Sequence, residues 1–429
     1  MQSDILKFTE EPLIDEGIEK YEYHQYEPAT GANLNNTEEI RINIESQDLF
    51  AHPSESYLLF EGRLTKADGS AYANDNAVTL ANNGMMHLFN QISYSLSNQE
   101  IETIFHPGQA TTLLGMLKYP NDFQLAQGLN QLWYKDSAAA ASIANNNGFA
   151  VRQAYIIQKP SAKGSFSFVV PLKHIFGFCE DYDKIIYGMK HTLTLVRKSD
   201  DDAIFRATAA GAGKVRLSKI SWFMPEVIPS DMEKLQLYKI IESKATIPIA
   251  FRAHLCDTTS VPQTTNFSWQ LGVKTSPEKP RYIIVAFQTA KDGDQEKNPS
   301  IFDHCNLKNM YVMMNQVRYP AVDYNLSFPN QQVSRAYFDA ATFSEKFYGM
   351  DHLITQSGIT PRDFQELFPI MVFDVSKQSE KLKSSVVDIK IKATFGSNVP
   401  DGTQAFAVLI ADKMVNLQSD GRKMSVITM

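Results

Sequence analysis

The chain of 429 residues holds only three cysteines, three tryptophans and no excess of positive charge. Cys179, Cys256 and Cys305 are odd in number, far apart and in no C-x-x-C spacing. That pattern excludes a disulfide framework and a zinc ribbon, and the thiols read as reduced, small apolar residues. No window contains the ~18 uninterrupted apolar residues that a membrane span needs. The first twenty residues are acidic, where a signal peptide would be basic and then apolar, so the chain reads as made in the cytosol. Lysine and arginine number 41 against 48 aspartates and glutamates, a net charge of −7. Broad binding to a phosphate backbone is driven by basic side chains displacing counterions, so strong nucleic-acid binding is not expected. What remains is ordinary globular composition, 43% hydrophobic and 21% charged. The length suits two domains of roughly 200 residues.

From Met1 to Thr37 eight acidic residues stand against Lys7 and Lys20, and residues 1–38 read as an acidic N-terminal arm. At Ile40 the period becomes two, with Ile40, Ile42 and Ile44 alternating with Arg41, Asn43 and Glu45, which predicts a half-buried strand. Similar short runs follow at Tyr57 to Leu64, Ile92 to Leu96, Ile101 to Phe105, Ser165 to Pro171, His191 to Arg197 and Val215 to Phe223. A helix is predicted over Gln109 to Lys118. Pro225 and Pro229 then close a first all-β domain, 39–228. Ser230-Asp231-Met232-Glu233 reads as a capping box opening a linking helix, 230–243, with Leu235, Tyr238 and Ile241 on one face.

The second domain, 229–429, repeats the theme. Ile247 to Leu255 and Phe267 to Val273 alternate, and Tyr282 to Phe287 is apolar throughout, which predicts a central strand covered on both faces. Met310 to Val317, Ile370 to Val375, Val386 to Phe395 and Ala405 to Met414 complete the set, with a tight turn at Asp420-Gly421. Leu96-Ser97-Asn98-Gln99 and Met314-Asn315-Gln316 each end a strand about half a chain apart, and each precedes a helical stretch, the second over Val333 to Tyr348. The fold class is therefore all-β: two tandem eight-stranded jelly rolls with short helices in inter-strand loops and a linking helix.

No motif carries chemistry. Neighbours along Asp303-His304-Cys305 point to opposite sides of an extended chain and cannot close on one metal. None of the nine histidines forms the His-x-His pair of a metal-binding jelly roll. Gly211-Ala212-Gly213-Lys214 lacks the first glycine and the following Ser/Thr of a phosphate loop, and reads as a flexible surface loop continuous with Asp200-Asp201-Asp202. Asp292-Gly293-Asp294 has no later bidentate acid in calcium-loop register and reads as a polar turn. Catalytic, cofactor-binding and metal residues are each expected to be none.

The run Pro280-Arg281-Tyr282-Ile283-Ile284-Val285-Ala286-Phe287-Gln288, followed by Phe302-Asp303-His304-Cys305-Asn306-Leu307-Lys308-Asn309, resembles the double jelly-roll major capsid proteins of Polinton-like and adintovirus-like elements and their animal relatives. Glu61-Gly62-Arg63-Leu64-Thr65-Lys66 and Lys239-Ile240-Ile241-Glu242-Ser243 are similar to the same family's pattern, so the resemblance spans about Glu39 to Met414. It implies a non-enzymatic homotrimer, a six-sided capsomer that meets other capsomers and a penton or minor capsid protein in an icosahedral virion, after synthesis in host cytoplasm. Asn121 to Lys163 is then a candidate outer tower or trimer-clasping arm. The alternatives are a soluble carbohydrate-binding jelly roll, in which Trp133, Trp222 or Trp269 would stack on sugars, and a host-integrated, repurposed capsid homologue.

Overall fold

The computed structural model describes residues 17–29, 32–45, 50–272, 279–350, 358–377, 387–419 and 424–427. In the first half the strands are β1 (Ile18–Tyr26), β2 (Glu39–Ile44), β3 (Phe50–Ala51), β4 (Tyr57–Lys66), β5 (Val78–Leu80), β6 (Phe89–Leu96), β7 (Gln99–Phe105), β8 (Ser165–Pro171), β9 (Ile186–Tyr187), β10 (His191–Arg197), β11 (Ile204–Arg206) and β12 (Gly213–Pro229). In the second half they are β13 (Thr246–Ser260), β14 (Asn266–Gln270), β15 (Lys279–Thr289), β16 (Leu307–Met314), β17 (Val317–Tyr319), β18 (Met371–Asp374), β19 (Ile389–Phe395), β20 (Thr403–Ser419) and β21 (Met424–Ile427). Helices α1 (Gly84–His87), α2 (Pro107–Lys118), α3 (Asn147–Ile156) and α4 (Gly177–Asp181) belong to the first half. Helix α5 (Asp231–Glu242) links the halves, and α6 (Ser334–Ala341), α7 (Phe343–Tyr348) and α8 (Pro361–Glu366) follow.

The two halves share one strand order. One sheet of the first half runs β1-β12-β4-β8, with β3 and β9 added beside β12, and the facing sheet runs β2-β10-β6-β7. The second half has β13-β20-β15-β18 facing β14-β19-β16-β17. All these pairings are antiparallel. In both halves the third and fourth strands of the facing sheet form a hairpin over the Asn-Gln segment. Ser97 and Asn98 turn β6 into β7, and Asn315 and Gln316 turn β16 into β17, each pair with both φ values positive. That is the tight turn whose twist matches paired strands. In both halves helices fill the next connection, α2 and α3 in one, α6 to α8 in the other.

Side-chain alternation drives the packing. Ile40, Ile42 and Ile44 are buried while Glu39 and Arg41 face water. Between the first pair of sheets Phe60 meets Phe89, and Tyr94 meets Trp222 edge-on. Between the second pair Phe287 packs on Phe267 and Phe395. Strand β15 is buried from Tyr282 to Gln288 because it lies between β20 and β18, in the sheet that also faces the first half.

Three expectations need correction. Residues 1–38 are not an arm throughout, since Ile18–Tyr26 form β1, the first strand of the first roll, paired with β12 from Ile18 opposite Pro229 to Tyr26 opposite Trp222. Ser230 is the N-cap of α5, but no capping box forms: its side chain makes no cap bond, and its own N–H donates to the Gly17 carbonyl at 2.9 Å, which leaves none for the Glu233 carboxylate. Leu235 is exposed while Ile241 is buried, so the apolar face of α5 is only partly covered. Third, the stretch Asn121 to Lys163 folds back onto the body: it contains α3, and Leu132, Trp133, Phe149, Arg152 and Ile156 are buried. The turn expected at Asp420-Gly421 and Val273 both lie outside the described residues; β20 and β21 pair from Asn416 opposite Ile427 to Ser419 opposite Met424.

Candidate assembly surfaces

The two halves meet along a seam of buried charged and polar side chains. Glu102 on β7 is buried, its side chain reaching across to His254 on β13. Its Oε1 accepts the N–H groups of Gly177 (3.1 Å) and His254 (2.7 Å), and its Oε2 accepts that of Phe178 (2.8 Å). Burial pushes this carboxyl up to about 7, against the pull of those three donors. Burial, then the nearby Lys118 ammonium, pushes His254 down to about 4, so its imidazole is neutral at pH 7.

Beside it, Lys118 on α2 bonds Glu180 at 2.6 Å, and Tyr348 donates to the same carboxylate at 2.7 Å. Burial acts to raise Glu180, but Lys118 and His254 outweigh it and hold the carboxyl down at about 2. Arg252 on β13 grips Asp181 through Nε (2.9 Å) and Nη2 (2.6 Å) while lying 3.6 Å from the Phe347 ring centre. This planar fork on a carboxylate is the stronger kind of ion pair. The backbones almost touch here: a Cβ built on Gly177 would stand 1.7 Å from the Arg252 carbonyl oxygen.

The other end of the seam is polar too. Arg152, fully buried, binds both oxygens of Asp136 (2.9 and 3.0 Å), and Asn298 from the second half donates to Asp136 at 2.8 Å. Gln295 clamps Gly213, accepting its N–H at 2.8 Å and donating to its carbonyl at 3.0 Å. Residues Gly211 to Lys214 are therefore not a flexible surface loop as a whole, because Gly213 is buried and begins β12.

The other residues singled out from the sequence are held separately. Asp303 accepts from Thr289 N–H and Lys291, His304 stacks on Phe328 at 4.5 Å, and the buried Cys305 thiol faces Thr289. Asp303 and Cys305 thus both meet Thr289, while His304 turns to Phe328, so the three do not close on one point. Trp133, Trp222 and Trp269 are all buried, which leaves no tryptophan to stack on a sugar. Asp292 and Gly293 sit against Asp202 of the first half: Gly293 N–H donates to Asp202 at 2.7 Å, and the two carboxyl groups lie within hydrogen-bond reach. Sequence reasoning missed the seam charges. The available signal was Arg252 and His254 on the face of β13 that the alternation assigns to solvent.

Apolar side chains do reach the surface. Ile18, Ile228, Met232 and Leu235 are exposed where β1, the end of β12 and α5 meet, and Val322 and Phe338 are exposed near α6. Tyr21 and Tyr23 stand on the outer face of the first sheet, Tyr23 against Tyr57, which stacks on Phe223. Among the described residues no helix is long and apolar enough to cross a membrane.

Two eight-stranded rolls of identical strand order, joined in one chain, define a double jelly roll. The chain belongs to the double jelly roll-like domain family, whose pattern matches residues 78–415. It is similar to a chain in the cryo-EM structure of the Sputnik virophage, with TM-score 0.63 at 11% identity over 100% of this chain and 92% of that one. It is also similar to the Faustovirus major capsid protein (TM-score 0.53, 10% identity, 96% of this chain and 94% of that one). The mavirus major capsid protein is a third such structure (TM-score 0.52, 12% identity, 94% of this chain and 90% of that one). No curated protein sequence matches the chain.

Proposed function

We propose that this chain is a major capsid protein, a non-enzymatic tile that self-associates into the shell of an icosahedral virion. Two rolls of one strand order, locked side by side, carry the reading: three such chains around an axis present six similar units, a six-sided outline from a threefold assembly. The fold shared with the Faustovirus and mavirus major capsid proteins supports it. In this reading the first roll ends with β12 and α5 is the link to the second. The exposed apolar groups on β1, α5 and α6 then belong to contacts between chains and with a penton or minor capsid protein. Virion assembly would follow synthesis in the host cytoplasm.

The test is to express the chain alone, measure its mass by light scattering and image it in negative stain. A trimer has three times the 48.3 kDa of one chain and a hexagonal outline. A chain that stays monomeric at micromolar concentration and forms no six-sided particle refutes the proposal.

A further inference from the structure

The seam inside the chain shows what one roll presents to another. There β7 and α4 of the first roll lie against β13, the first strand of the second roll. The contact covers each strand on both sides: Ile101 to Ile104 of β7 are all buried, as are Ala253 and His254, neighbours on opposite faces of β13.

Because the rolls share one strand order, each of these strands has a counterpart in the other roll. Strand β1 flanks β12 as β13 flanks β20, and β17 is the hairpin partner of β16 as β7 is of β6. The counterparts lack the cover. Eight of the nine residues of β1 are exposed, so neither of its faces is shielded, and no residue of β17 is buried. Among the described residues β1 pairs with β12 alone, and an exposed sheet edge of this length is a template for association unless something covers it. Apolar side chains stand on both strands: Ile18 (51% exposed), Tyr21 and Tyr23 on β1, and Val317 (45%) on β17. The segment after β17 adds Val322 (63%), and α6 adds Phe338 (62%). Arg335 ties these two together, since its Nη1 donates to the Val322 (3.2 Å) and Asp323 (2.9 Å) carbonyls one helical turn before Phe338.

We propose that β1 of one chain docks against β17 and α6 of a second copy, repeating between chains the contact that β13 makes with β7 within one. The proposal rests on the capsid reading and adds to it which surfaces meet. The two surfaces are unlike, so the contact runs head to tail, and such a contact makes a closed ring when its rotation closes. With the seam inside each chain and this contact between chains, every roll of the ring meets the next in the same way.

The test is light scattering on the full chain and on Ile18→Asp, Phe338→Asp, Val322→Asp and Leu125→Asp, with circular dichroism to select the chains that fold. Leu125 is as exposed as the others but belongs to the stretch between α2 and α3, on neither surface. Wild type and Leu125→Asp should be trimers, whereas Ile18→Asp, Phe338→Asp and Val322→Asp should fall to the 48.3 kDa of one chain. Mixing Ile18→Asp with Phe338→Asp or Val322→Asp should restore one contact and give 1:1 dimers, because each partner keeps the surface that the other has lost. A trimeric wild type whose folded variants stay trimers overturns the docking and leaves the capsid reading standing. So does dissociation of Leu125→Asp to the same extent, or a mixture that stays monomeric. A monomeric wild type overturns both.

Discussion

Replacing Glu102 by glutamine separates the two effects that act on the buried carboxyl at the seam. The side chain keeps its shape, and its oxygen can still accept from Gly177 and His254, but the new NH2 group faces the N–H of Phe178. A buried donor left without an acceptor costs about 1–3 kcal/mol, so the variant is the weaker protein in acid. The ionisable group brings a pH dependence that glutamine lacks. Its folded-state value of about 7 lies above the 4.5 of the free side chain. The folded chain therefore holds a proton that the unfolded chain has released, and this contribution is fully present below about 4.5 and is lost as pH rises through about 7. From pH 5 to pH 8 the loss is about 2 to 3 kcal/mol. With both rolls unfolding as one unit at roughly 2 cal/mol/K per residue, that is about 2 to 3 °C in Tm. Scanning calorimetry of both proteins across this range should show the wild-type advantage shrinking toward alkaline pH. Parallel Tm profiles would refute the assignment of a raised Glu102.

Three further outcomes test the same framework. Arg152→Met strands the Asp136 carboxylate inside the protein and should cost about 3–5 kcal/mol in urea unfolding; a loss below about 1 kcal/mol would show that the pair is not buried in solution. Gly177→Ala drives a methyl group into the Arg252 carbonyl and should cost at least about 1–3 kcal/mol. It should also raise amide hydrogen exchange in α4 and β13, and unchanged protection would contradict the close seam. Deleting residues 1–37 removes β1 and should lower Tm, whereas deleting 1–16 leaves every described strand in place; equal Tm values for the two truncations would argue that β1 is dispensable.

The core strands were legible because their apolar residues recur every second position, as in Ile40, Ile42 and Ile44, or run unbroken, as in Tyr282 to Phe287. Strand β1 was not legible. Ile-Glu-Lys-Tyr-Glu-Tyr-His-Gln-Tyr is exposed along almost its whole length, and its partner β12 lies some 200 residues away, so no local period announces it. Helix α3 hid in an Asn- and Ala-rich stretch, although Asn146 caps it by accepting the Phe149 N–H at 3.2 Å. The seam was hidden for another reason. Arg252 and Glu102 look like solvent-facing charges in a single roll, and only the facing roll brings Asp181 to Arg252 and the His254 N–H to Glu102.

The near-contact of Gly177 with Arg252 bears on how a closed surface could be made from these chains. Two sandwiches whose backbones meet with no room for a methyl group, with the Arg252–Asp181 ion pair crossing beside that point, are held against each other at this point of the join. If the chains assemble into a shell as proposed, bending it around a particle falls to the borders between neighbouring chains. In that proposal one building block could tile shells of different radius, with curvature set by how the outer edges meet.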